Sequence, residues 1–179
     1  MHVHASDAGE SLFTLLGYRP LQRANGAVNA VIALGSNLGD SVITVEQAIE
    51  ALSKIPGVDL VAKSPFYRSA PHQAEGDDYI NAVIEVRTHY NPHDLLRLMQ
   101  AVELTYGRRR STLNAPRTLD LDLIFYGSAR IESQSLTVPH PRWSERAFVL
   151  LPLSTIAPER VTGEMLEQVK HQPIAQLAR

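Results

Sequence analysis

Leu119-Asp120-Leu121-Asp122-Leu123-Ile124-Phe125-Tyr126 is the stretch on which the fold turns. It is strongly apolar, and two carboxylates interrupt it at alternate positions. In an extended strand alternate side chains share a face. Asp120 and Asp122 are therefore expected to point one way, while Leu121, Leu123 and Phe125 take the opposite face and pack against helices. Two carboxylates set roughly 7 Å apart along a strand, from the rise per residue, can converge on hard cations that also hold phosphate oxygens, and magnesium is the expected guest. Burying unpaired carboxylates is costly, so in a strand this apolar a cation or arginine partner is close to obligatory.

The partners stand just upstream. Arg108, Arg109, Arg110 and Arg117 supply planar donors that match phosphate oxygens two at a time, and Pro116-Arg117-Thr118 leads directly into the strand. Alone, the aspartates would fit a solvated edge strand and the arginine triplet a solvated turn. Together, metal ligands and arginines read as a polyphosphate site.

Outward from this strand, residues 93–106 follow Asn91-Pro92 with Leu95, Leu96, Met99, Val102 and Leu104 at helical spacing, and Gly107 is a helix stop. Residues 79–88 alternate as a strand with Ile80, Ala82, Ile84 and Val86 on one side and Tyr79, Asn81, Val83 and Glu85 on the other. A loop is expected over 69–78 and a strand over 58–67. Residues 42–55 read as a helix, with Val42, Val45, Ala48, Ile49 and Leu52 in phase, a cap at Asp40 or Ser41, and a stop at Pro56-Gly57. The apolar run 30–34 is a strand closed by the turn Gly35-Ser36-Asn37-Leu38-Gly39-Asp40. The order is βαββαβ, the split βαβ arrangement of ferredoxin-like folds, which makes the chain α+β with an antiparallel sheet. Residues from 131 onward add a short strand pair, a helix near 144–151 and another near 162–177. Three layers, α/β/α, are expected.

The chain has 179 residues and a formal net charge of −2, enough for about one domain and against a general nucleic-acid coat. Only Lys54, Lys63 and Lys170 are lysines, and there is no cysteine, which excludes disulfides and thiolate chemistry and suits a reducing cytoplasm. No stretch approaches membrane-spanning length. Residues 1–29 are expected to be a loosely ordered extension, and 30–179 one catalytic domain.

Beyond these local readings, the region from about 30 to 159 resembles the 6-hydroxymethyl-7,8-dihydropterin pyrophosphokinase family of the folate pathway. The resemblance rests on Arg110 followed by Pro116-Arg117-Thr118-Leu119-Asp120-Leu121-Asp122. It is supported by Ala33-Leu34-Gly35-Ser36-Asn37-Leu38-Gly39, Phe66-Tyr67-Arg68-Ser69, Asp78-Tyr79-Ile80-Asn81, Glu103-Leu104 before Gly107-Arg108, Val138-Pro139-His140-Pro141 and Arg146-Ala147-Phe148-Val149-Leu150. It implies transfer of the terminal pyrophosphoryl unit of ATP to the pterin hydroxymethyl oxygen, with release of AMP and two magnesium ions bridged by Asp120 and Asp122. It further implies that Arg108, Arg110 and Arg117 hold the polyphosphate in catalysis, with Gln100, Glu103, His140 and Arg146 on the nucleotide side. For the pterin it implies a sandwich between Tyr79 and Phe148, an amide edge contact from Asn81, and backbone at Ser69 and Ala70. Such a site suits a flat heterocycle with a hydrogen-bonding rim. Core packing is the competing role for Phe148, and loop anchoring for His140.

The chain departs from the family pattern in two loops. Ser111 and Asn114 stand where the mobile loop commonly carries a lysine and a tryptophan, and His72 stands where an apolar residue is usual. No matched residue is a convincing general base. Two rivals remain: another two-metal nucleotidyl transferase on a ferredoxin-like fold, which gives no reason for Tyr79, Asn81 and Phe148, and an RNA-binding module of related topology using Arg108 to Arg110, for which this chain lacks exposed strand aromatics in the proper pattern. The expectation is a cytoplasmic monomer acting on small molecules, with neither nucleic acid nor membrane as partner.

Overall fold

The computed structural model describes residues 23–71, 76–107 and 119–178. In chain order these form β1 (Arg23–Ser36), α1 (Ser41–Ser53), β2 (Val58–Lys63), β3 (Tyr67–Ser69), β4 (Tyr79–Tyr90), α2 (Pro92–Gly107), β5 (Asp120–Tyr126), β6 (Ile131–Glu132), β7 (Thr137–Val138), α3 (Ala147–Ile156), α4 (Gly163–Val169) and β8 (Ile174–Gln176). The βαββαβ core is present, and the helices start where local chemistry starts them. Asp40 caps α1 by accepting the Ile43 N–H, after a turn in which Gly39 takes a φ of 66° that a side chain would strain. Asn91 Oδ1 accepts the Asp94 N–H at 2.9 Å and so caps α2, whose first residue is Pro92.

The main sheet runs β5-β1-β4-β3-β8, with β2 also on β4, and its pairs are antiparallel. Its two faces are covered by different helices. On one, Ile32, Ile80, Ala82, Ile84 and Val86 pack with Val45, Ile49 and Leu52 of α1 and Leu95, Met99 and Val102 of α2. On the other, Val31, Ala33 and Val83 pack with Val149 and Leu153 of α3. That is the expected three-layer α+β arrangement, and each fully buried leucine or isoleucine contributes about 1.5–3 kcal/mol.

Four details differ from the sequence reading. First, β1 begins at Arg23, not at residue 30, so residues 23–29 belong to the sheet rather than to the extension. Asn29 is hydrogen-bonded across to Glu85 at 3.1 Å, a polar pair that hydrophobic runs do not reveal. Second, the strand expected over 58–67 is split into β2 and β3. Pro65 has no N–H for a ladder, and Ser64 takes over: its Oγ accepts the Val83 N–H at 2.9 Å while its own N–H donates to the Val83 carbonyl.

Third, Phe125 is not on the same face as Leu121 and Leu123. The β1–β5 register passes from Ile32↔Leu123 to Val31↔Phe125, leaving Ile124 unmatched in a β-bulge. The extra residue reverses the alternation, so Phe125 joins the α3 face and Tyr126 the α1/α2 face. Fourth, the helix expected over 162–177 ends as α4 at Val169. Pro173 interrupts it, and β8 pairs with β3 instead.

Candidate functional site

Strand register brings the chemistry together. Asp120 lies opposite Gly35 of β1, and Gly35 lies opposite Asn81 of β4. The next row along that face holds Asp122, Ala33 and Val83. With strands about 4.8 Å apart, one row of the sheet carries a carboxylate and an amide on either side of a residue without a side chain. A Cβ at Gly35 would stand 3.3 Å from Asn81 Oδ1 and 3.7 Å from Tyr79 Cδ1. Gly35 is thus a site residue that sequence reading assigned to a turn, and it keeps the floor open between the two polar groups.

Above this floor is a cavity of 460 Å³, lined among others by Gly35, Ser69, Ala70, Tyr79, Asn81, Gln100, Glu103, Asp120, Asp122, Arg146 and Phe148. Ten expected site residues therefore share one space. Asn81, only 3% exposed, donates from Nδ2 to Ser69 Oγ at 2.7 Å, which fixes the orientation of the amide. Tyr79 and Phe148 are each half-buried, from β4 and from the first turn of α3 respectively, and Phe148 carries the Arg146 guanidinium 5.4 Å from its ring centroid. Pro71, Leu96 and Leu121 add apolar wall that no motif singled out.

Glu103 also serves the scaffold. Its Oε2 accepts the Leu121 N–H at 3.2 Å and so pins the start of β5 between the two aspartates. Gly107, expected as a helix stop, is needed for contact: a Cβ there would meet Leu119 Cβ at 2.8 Å. Together these hold α2 against the strand that carries Asp120 and Asp122.

His140 does not line the cavity but stands beside it. The bulge residue Ile124 has no partner on β1, and its carbonyl accepts the His140 N–H at 3.0 Å. The Arg142 N–H donates to His140 Nδ1 at 3.2 Å, so the neutral ring carries its proton on Nε2. Burial lowers the His140 pKa below the ordinary imidazole value; Asp122 pulls it up, and Arg146 and Arg142 push it down. Arg108, Arg110 and Arg117, with Arg109, Ser111, Asn114 and His72, lie outside the described residues.

The donor set suits a hard cation. Magnesium takes one or two carboxylates and completes its sphere with water and substrate phosphate, and Asp120 and Asp122 offer that pair. Among the described residues no group of three or more His, Cys, Asp or Glu could cage a metal without such help. Also among them, no helix is long and apolar enough to cross a membrane.

Residues 31–158 match the family model described as 7,8-dihydro-6-hydroxymethylpterin-pyrophosphokinase (HPPK). A 2-amino-4-hydroxy-6-hydroxymethyldihydropteridine pyrophosphokinase of Synechocystis sp. is 42% identical over 146 residues, covering 80% of this chain and 75% of the relative. The Bacillus subtilis protein of the same name is 41% identical over 128 residues, covering 71% and 77%. Among solved structures, a Plasmodium falciparum HPPK-DHPS aligns with a TM-score of 0.61 at 14% identity, over 75% of this chain and 43% of that one. That likeness supports the fold, and the chain spans less than half the length of that structure.

Proposed function

The chain belongs to the 7,8-dihydro-6-hydroxymethylpterin-pyrophosphokinase family, and from that premise we propose how its cavity works. The protein is an ATP-dependent diphosphotransferase of folate biosynthesis, a pyrophosphokinase with small-molecule substrates. In our reading the pterin lies between Tyr79 and Phe148, with its polar edge toward Asn81 and the backbone of Ser69 and Ala70. The observation that carries this is the shared cavity: an oriented amide and two half-buried rings in the same space as two carboxylates and Arg146.

ATP then approaches from α2, where Gln100 and Glu103 face the cavity, with His140 and Arg146 beside its phosphates. Arg108, Arg110 and Arg117 are proposed to complete the polyphosphate clamp. Asp120 and Asp122 would hold two magnesium ions, which when bound neutralise phosphate charge. The hydroxymethyl oxygen bonds to the β-phosphorus of ATP as the bond from that phosphorus to the α,β-bridging oxygen breaks, giving AMP and the pterin diphosphate. The hydroxymethyl proton is released. The chain's part in this is positioning and electrostatics: Asn81 and the rings orient the acceptor, and the arginines balance the donor's charge.

We take residues 30–179 together with the sheet residues 23–29 as one catalytic domain, acting as a cytoplasmic monomer. The reaction is tested by incubating the protein with ATP, magnesium and 6-hydroxymethyl-7,8-dihydropterin. Pterin-dependent release of AMP is expected, whereas release of ADP, or turnover without pterin, would mean a different reaction.

A further inference from the structure

The segment after α4 lies beyond the residues that match the family model, yet it touches both walls of the cavity. On one side, the Gln172 amide brackets the turn that starts α3. Its Oε1 accepts the Ala147 N–H at 2.8 Å and its Nε2 donates to the Glu145 carbonyl at 2.8 Å. Arg146 lies between these two anchor points and Phe148 follows them, and both line the cavity. On the other side, the Pro173 carbonyl accepts the Ala70 N–H at 3.3 Å, and β8 pairs with β3 so that Ile174 lies opposite Ser69. Ser69 in turn accepts from the amide of Asn81. The Leu177 N–H donates to the Phe66 carbonyl and closes the pairing.

A helix start has unsatisfied N–H groups, and Arg146 offers no side-chain cap to α3. Gln172 supplies the cap from outside the helix, and it sits next to the residue that holds Ala70. We infer that residues 172–177 are a strap that sets the distance between the two walls of the acceptor pocket, with Gln172 as a positioning residue for the acceptor. The strap links the Phe148 wall to the Ser69–Ala70 wall through two consecutive residues of one chain. Hydrogen bonds that hold a binding wall in place shift acceptor affinity more than the chemical step, because the group they hold does not itself react. This inference rests on the pyrophosphokinase reading for its substrate, but not for its geometry.

The test compares wild type with Gln172→Ala, Gln172→Glu and, on the same segment but on neither wall, Lys170→Ala. Expected for Gln172→Ala is a KM for the hydroxymethyl dihydropterin raised about 5- to 20-fold, the effect of one or two lost hydrogen bonds, with kcat and the KM for ATP within about 2-fold. Gln172→Glu keeps an oxygen for the Ala147 N–H and is expected to recover part of the loss, while Lys170→Ala matches wild type. Trp143, the one tryptophan of the chain, lies in the 3-10 turn next to the bracketed residues, so its emission should shift in Gln172→Ala. Unchanged acceptor KM in both Gln172 variants overturns the strap, as does an equal loss in kcat and both KM values. Amide hydrogen exchange is read in parallel and is independent of turnover: faster exchange at both Ala147 and Ala70 in Gln172→Ala supports the strap, and a change confined to Ala147 overturns it. Wild type without pterin-dependent AMP release refutes the reaction instead, and leaves the exchange result to decide the strap.

Discussion

Asp122 sits half-buried opposite Ala33, lines the cavity and lies near His140. In its proposed role, holding a cation and not the core, this carboxylate should be dispensable to folding. Asp122→Ala is expected to lower turnover by about 100-fold or more while changing the unfolding free energy, read from urea denaturation, by no more than about 0.5 kcal/mol. Activity and folded fraction lost together would make Asp122 structural. His140 gives a pH dependence whose sign follows from burial. Its folded pKa lies below the ordinary value of 6.5, so between the two values the unfolded chain binds more protons. The stability it contributes is complete above 6.5 and is lost as pH falls through the folded value. Wild type should therefore lose more stability than His140→Gln between about pH 7 and about pH 5, as read from denaturation midpoints at each pH. Equal losses would show that the ring is not held neutral by the fold. At this scale much was legible: carboxylates at alternate positions and an aromatic and an amide two residues apart on one strand show their shared faces in the spacing alone. Gly35 was not, because its part is the room it leaves for Asn81 and Tyr79, which lie on another strand far along the chain.

Among elements, the contact between α2 and β5 governs where the aspartates stand. Gly107 closes α2 against Leu119, and Glu103 holds the Leu121 N–H. Gly107→Ala puts a methyl into contact with Leu119 and is expected to cost about 1–3 kcal/mol, with activity falling beyond what the lost folded fraction explains because β5 must shift. Thermal denaturation and specific activity per folded molecule check this, and an alanine variant as stable and active as wild type would contradict it. The helical periods of α1 and α2 were readable because each helix buries one face over many residues, and the strand period of β4 because Ile80, Ala82, Ile84 and Val86 are aliphatic on one side while Tyr79, Asn81 and Glu85 put polar groups on the other. The bulge at Ile124 was not, since both Ile124 and Phe125 are apolar and either face would accept them. The end of α4 was readable in principle from Pro173, but the destination of the following strand depends on β3, about 100 residues earlier.

For the whole molecule, a cavity walled by β1, β3, β4, α2, β5 and the start of α3 makes ligand binding a brace across the fold. Magnesium and ATP at about 100 times the dissociation constant should add about 2.7 kcal/mol by mass action and raise Tm by about 5–10 °C for a chain of this size. EDTA should cancel the shift if Asp120 and Asp122 hold the cation, and an equal shift with and without magnesium would remove them from that role. The sequence by itself determined the βαββαβ order, the two sheet faces and the pairing of Asp120 with Asp122, because these follow from periodicities within a single element. Only the tertiary structure decided that Gly35 separates Asn81 from Asp120, that Phe125 turns to the α3 face, and that Gln172 caps the start of α3. Those outcomes depend on the register between strands and on hydrogen bonds between distant segments, and neither leaves a periodic trace along the chain.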